Sequence, residues 1–132
     1  MSVVIVCLFI TFFLTSGCTE ENDSKNDQYT QIIESMNDSQ EYYDRLVVTA
    51  PNDSVAWCTR GLFYNNYLSQ NVITLECANR SLELNPEYGL AWFLKGIAYM
   101  NLESYQEAES CFKNATKYDP ELTIYVPYIK QS

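Results

Sequence analysis

Residues 89–122 read GLAWFLKGIAYMNLESYQEAESCFKNATKYDPEL, two amphipathic helices joined by a short turn. Trp92 and Tyr99 lie a heptad apart on one side of the first helix. On the second, Ala108, Phe112 and Ala115 recur at i, i+4, i+7, the apolar stripe of a helix with one buried face. Gly96 and Ala108 are small where the two helices must approach closely. Ser104 followed by Glu107 fits an S-x-x-E capping box at the second helix start. Asp119-Pro120 then stops that helix, because a residue before proline is pushed out of helical geometry.

An earlier copy lies over residues 54–87. Trp57, Gly61 and Tyr64 precede Trp92, Gly96 and Tyr99 by 35 residues, and Asn85-Pro86 precedes Asp119-Pro120 by 34. The earlier copy therefore holds one extra residue, placed in the turn at 68–71. Its second helix carries Thr74, Ala78 and Ser81 in place of Ala, aromatic and Ala. A half-copy precedes it: Pro51 stands 35 residues before Pro86, with Tyr42, Tyr43, Leu46 and Val47 as a helical stripe ahead of it. Ser39 predicts a helix start, and Tyr29, Ile32, Ile33 and Met36 share one side of a short helix over 28–36. Residues 28–53 thus read as a degenerate repeat or a pair of N-terminal capping helices.

The series Trp92, Gly96, Tyr99, Ala108, Phe112, Ala115, Pro120 resembles the tetratricopeptide consensus. Two departures are Lys95, where the consensus prefers Leu, and Glu103, where a turn Gly is usual. The resemblance implies an all-α fold of antiparallel helix-turn-helix repeats in a right-handed α-solenoid, with about five to six helices. It also implies a protein-binding scaffold, not an enzyme. Carried over residue by residue, the family's concave face falls on Val55, Cys58, Leu62, Asn65 and Asn66 in 54–87. In 88–122 it falls on Leu90, Phe93, Ile97, Met100 and Asn101. Within each copy the spacing is i, i+3, i+7, i+10, i+11, one side of a helix. The apolar members suit a hydrophobic peptide or burial by another element, and the asparagines suit the backbone of an extended peptide.

The N-terminus reads as a targeting segment. Residues 3–14 are an almost unbroken apolar run, too short for the roughly 20 residues of a membrane-spanning helix. Residues 1–17 therefore read as a signal peptide. Leu14-Thr15-Ser16-Gly17-Cys18 resembles a lipobox, in which Cys18 is lipidated and Gly17 supplies the small residue that cleavage needs. Thr15 departs from the usual Leu, and no Lys or Arg precedes the apolar run. The acidic stretch 18–27 then reads as a polar tether, similar to that of archaeal and bacterial lipoproteins. An uncut anchor and plain secretion are the alternatives. The expected location is the outer face of the cytoplasmic membrane.

A net charge of −9 across 132 residues argues against a nucleic-acid partner, whose phosphates need Lys and Arg. With no histidine, the Ser-His, Cys-His and His-metal arrangements are unavailable. Four glycines form no phosphate-binding loop. No catalytic residue, metal site or cofactor is expected. Cys58, Cys77 and Cys111 are odd in number, and Cys77 and Cys111 fall at one repeat position, a helix spacing apart and too distant for a disulfide. They read as buried, unpaired thiols.

Asn22, Asn37, Asn52, Asn79 and Asn114 each open an N-x-S/T sequon, with Asn37 and Asn52 the best-placed candidates for N-glycosylation. The tail, 123–132, is apolar at Ile124, Val126, Tyr128 and Ile129 despite Pro127. It caps the last helix pair, lies in the groove or mediates a homo-oligomer. The functional expectation is a membrane-tethered interaction module for a protein or peptide. The alternatives are a structural envelope protein that self-associates through its apolar face, and a small-ligand-binding lipoprotein.

Overall fold

The computed structural model describes residues 20–126; the expected signal peptide, Cys18 and tail residues 127–132 lie outside them. The described residues form five α-helices and one 3₁₀ helix, with no strand among them. In chain order these are α1 (Glu20–Thr49), α2 (Ser54–Leu68), α3 (Asn71–Leu84), α4 (Gly89–Asn101), α5 (Tyr105–Tyr118) and the 3₁₀ helix Pro120–Tyr125. The all-α expectation holds. The chain divides into two compact units between Ser39 and Gln40.

In the first unit residues 20–39 are helical throughout, with Ile32, Ile33 and Met36 exposed. Residues 20–27 of the expected polar tether are helical, and α1 runs on unbroken to Thr49 through the stretch 28–53 that was expected to be a degenerate repeat or a pair of N-terminal capping helices. The reason is local: neither Gly nor Pro interrupts residues 20–49, so nothing forces a break. Ser39 does not start a helix; its hydroxyl donates to the Ser35 carbonyl at 2.8 Å, as a mid-helix serine does.

In the second unit each of α2 to α5 packs on the next in chain order, and α2 also touches α4. Residues 40–49 of α1 join through Tyr43, stacked on Phe63 at 4.6 Å, and through buried Val47. Two small residues set the spacing between helices. A Cβ on Gly61 would lie 2.7 Å from Leu94 Cδ2 and 2.9 Å from Cys77 Cβ; one on Gly96 would lie 2.7 Å from the Phe112 ring. The core between the copies is Cys58, Ala78, Leu82, Ala91 and Leu94.

Equivalent hydrogen bonds mark each junction. The Trp57 indole N–H donates to the Pro51 carbonyl at 2.9 Å, and that of Trp92 to the Pro86 carbonyl at 2.8 Å. Asn85 and Asp119 close α3 and α5 in extended geometry, and each side chain accepts the N–H two residues on at 3.2 Å. Asp53 caps α2 by accepting the Val55 N–H at 2.8 Å. Ser104 is the N-cap residue of α5, but its side chain makes no capping bond, so the expected capping box is not formed.

The turns inside the copies differ by one residue. After α4, the Ser104 N–H reaches back to Tyr99 O and the Glu103 N–H to Met100 O, a Schellman closure with Glu103 at φ 59°. After α2, the Gln70 N–H reaches Tyr64 O, one residue further back, with Ser69 at φ 51°. The extra residue of the first copy is absorbed there.

Candidate functional site

The ten residues expected on the concave face come from α2 and α4, and the structure sorts nine of them into three groups and leaves Val55 apart. Cys58 is 1% exposed and belongs to the core; Leu62 and Leu90 are partly buried against that same core. Cys58 is therefore corrected from face to interior. The reason is the neighbouring copy, since Leu94, Ala91 and Tyr88 from the next repeat close over it. Val55, by contrast, is 51% exposed.

Phe93, Ile97 and Met100 are half-buried along α4. Phe93 stands edge-on to Phe112 at 5.4 Å and to Tyr125 at 6.2 Å. The 3₁₀ helix thus leans on this face, anchored by Leu122, which is buried. Its Ile124 and Tyr125 stay exposed.

Asparagines form the third group. Asn101 Nδ2 donates to Asn65 Oδ1 at 3.3 Å and to Asn71 Oδ1 at 3.1 Å, while Asn65 Nδ2 donates to Asn66 Oδ1 at 2.9 Å. The three expected asparagines come together, and Asn71 joins them. Asn71 was missed because it lies on α3, outside the first-helix pattern; its position directly after the lengthened turn was the available signal. The row of amides is exposed at Asn66 and Asn101 and offers both donors and acceptors.

A second polar cluster was not expected. The Arg60 guanidinium donates from Nε to Asp44 Oδ1 at 2.7 Å and from a terminal nitrogen to Cys77 Sγ at 3.0 Å, and lies 4.7 Å over the Tyr64 ring. The Tyr64 hydroxyl donates to Asp44 at 2.9 Å and accepts from Gln40 at 3.3 Å. The signal was present in the repeat itself. Arg60 precedes Lys95 by 35 residues, and Lys95 sits over Trp92 and Tyr99 at 5.5 and 5.9 Å. Both copies place a cation on aromatic faces where the consensus has Leu. The cluster ties residues 40–49 to α2 and α3.

Cys58, Cys77 and Cys111 are free and buried, as expected. Burial pushes the Cys58 thiol up to about 12, and raises Cys77 and Cys111 as well, Arg60 and Lys95 respectively working in the opposite direction. None is an activated nucleophile. Among the described residues no group of three or more His, Cys, Asp or Glu is placed to hold a metal, and no helix is long and apolar enough to cross a membrane. The sequon residues Asn37 and Asn52 are both exposed.

Comparison with known proteins agrees with this geometry. Residues 89–122 match the family model for the tetratricopeptide repeat. An uncharacterized protein of Methanocaldococcus jannaschii, MJ0572, is 43% identical over 49 residues, which is 37% of this chain; the match spans 57% of that relative's length. Among solved structures, the first tetratricopeptide domain of human RPAP3 superposes with a TM-score of 0.66 at 20% identity, covering 83% of this chain and 86% of that one. The same domain of Spaghetti (RPAP3), bound to the HSP90 peptide SRMEEVD, gives 0.65 at 20% identity with the same coverage. The Sgt2 tetratricopeptide domain of Aspergillus fumigatus gives 0.60 at 18% identity, covering 77% of this chain and 68% of that one. Residues 89–122 thus match the tetratricopeptide repeat, and the fold is the all-α solenoid seen in these solved tetratricopeptide domains.

Proposed function

We propose that this chain is a protein-interaction module, held on the outer face of the cytoplasmic membrane by a lipid on Cys18. Along the α2–α4 face it receives an extended segment of a partner protein. The observation that carries this reading is the row of amides Asn65, Asn66, Asn71 and Asn101. It stands on the same side of the helices as half-buried Ile97 and Met100. Amides hydrogen-bond an extended backbone without regard to sequence, and the apolar residues accept side chains between those bonds. Tetratricopeptide architecture supports the class, since the RPAP3 domain holds a peptide.

The charge of the face selects the segment. The RPAP3 ligand SRMEEVD is acidic, whereas none of the ten residues expected on this face is Lys or Arg, and the chain carries 17 acidic against 8 basic residues. An acidic segment is therefore disfavoured and a neutral, apolar one fits.

Two measurements test this. A photo-reactive residue in place of Ile97, in the full chain on its own membranes, is expected to link to one polypeptide, and sequencing of the linked peptide to find a neutral apolar stretch. Linkage only to other copies of this chain, or to an acidic tail, overturns the reading. Cys18→Ser is expected to move the protein out of the membrane fraction; retention there overturns the lipid anchor.

A further inference from the structure

Five N-x-S/T sequons stand in the sequence, and the fold treats them differently. Asn22, Asn37, Asn79 and Asn114 lie within helices, whereas Asn52 sits in the turn between α1 and α2. A sequon pairs an asparagine with a hydroxyl two residues on, and a transferase that reads it must reach both side chains together. On a helix, residues i and i+2 do not face each other. Across an extended residue they point to the same side. The hydroxyls agree with this division. Ser39 donates to the Ser35 carbonyl at 2.8 Å, Thr116 to that of Phe112 at 3.1 Å, and fully buried Ser81 to that of Ser54 at 2.7 Å. All three are already committed within the fold.

Asn52 differs on each count. It is exposed, as are Glu87 and Glu121, the residues after the other two closing prolines. Asp53, the middle residue of its sequon, is extended at φ −97° and ψ 112°, which turns the side chains of Asn52 and Ser54 to one side. Ser54 is half-buried, and its hydroxyl makes none of the hydrogen bonds among the described residues. We propose that Asn52 is the N-glycosylated residue of this chain, taking its sugar from a lipid-linked oligosaccharide. In that transfer the Asn52 side-chain nitrogen bonds to C1 of the first sugar, and the bond from C1 to the lipid phosphate oxygen breaks. The oxygen keeps the electron pair and one amide proton is lost to water, so nothing is oxidised or reduced.

This inference rests on the outer-face location proposed above, since asparagine is glycosylated on exported chains. It does not compete with the peptide reading. Asn52 stands just before the start of α2, and Asn65 and Asn66 lie near the far end of that helix. From Val55 to Asn65 the axis runs about 15 Å at the helical rise per residue, so a glycan at the turn leaves the amide row open. The turn itself is held in place, because the Pro51 carbonyl takes the Trp57 indole and the Asp53 carboxylate takes the Val55 N–H.

Peptide mass spectrometry on the full chain from its own membranes tests the site. Trypsin cuts after Arg45 and Arg60, so residues 46–60 come away with Asn52 heading their one sequon. That peptide is expected to carry a glycan on Asn52. Asn52→Gln and Ser54→Ala are each expected to abolish it, and Ser54→Thr to keep it. Ser54 gives the fold its carbonyl and not its hydroxyl, so the helical content of these variants is expected to stay. A bare Asn52, a glycan on Asn37, Asn79 or Asn114 in its place, or a glycan that survives Ser54→Ala overturns the proposal. A membrane-impermeant amine reagent on intact cells, read at exposed Lys113 and Lys117, reports export separately. A labelled chain with a bare Asn52 overturns the glycan and keeps the outer-face location; an unlabelled chain with a bare Asn52 overturns both.

Discussion

A methyl group on Gly96 would meet the Phe112 ring at 2.7 to 2.9 Å, and Phe112, at 2% exposure, has little room to withdraw. Gly96→Ala is therefore expected to cost about 1–3 kcal/mol through overpacking, seen as a lower urea midpoint at unchanged slope. Cys58 makes a prediction about pH. Its thiol, ordinarily near 9.0, is pushed up to about 12 by burial, so above pH 9 the folded chain keeps a proton that the unfolded chain has lost. The sign follows: this contribution is fully present below pH 9 and is lost as pH rises toward 12. Urea midpoints measured across that range should decline, and less steeply in Cys58→Ala. Cys58 also marks a boundary of sequence reading. The resemblance and its i+3 spacing from Val55 placed it on the open face of its helix. Only the approach of Tyr88, Ala91 and Leu94 from the next repeat turns that position inward.

Helix ends separate what is written locally from what is not. Asp53 makes a side-chain cap and Ser104 does not, although both stand before a helix. Asp53→Ala is expected to cost about 1 kcal/mol and Ser104→Ala much less, comparable by thermal midpoints. At the other end of α4, Glu103 holds φ 59°, a conformation that penalises any residue with a Cβ. Glu103→Gly is expected to stabilise by about 0.5–1 kcal/mol, checked by the same melts. The missing turn glycine was visible in the sequence, as were the tryptophan, glycine and proline positions of both copies, because each of those residues performs its role within a few neighbours. Helix α1 was not legible as one element. Its polar residues suggested starts and linkers, yet a helix without Gly or Pro continues through them.

In the molecule as a whole, stability passes from copy to copy through few residues. Leu94, fully buried on α4, packs onto Gly61 of α2. Leu94→Ala is expected to cost about 2–5 kcal/mol, and hydrogen exchange should quicken in α2 as well as α4, since neighbouring repeats stabilise each other. Confinement of the change to α4 would contradict that coupling. The solenoid class was legible because a repeat states its own period. The asparagine row was only partly so, because Asn71 enters through a turn whose length, not its composition, decides where the residue lands.

The indole-to-carbonyl bonds also bear on how such a chain can grow. Trp57 and Trp92 each stand six residues after the proline whose carbonyl they take. Val126 stands six residues after Pro120, whose carbonyl accepts the Thr123 hydroxyl at 2.7 Å. The Thr123 hydroxyl therefore occupies the carbonyl that the indole takes at the two earlier junctions. A duplicated copy of residues 88–122 grafted in that register would replace Thr123 and bring its tryptophan to position 126, freeing the Pro120 carbonyl to take the indole, so the array is expected to accept whole modules at the same joint.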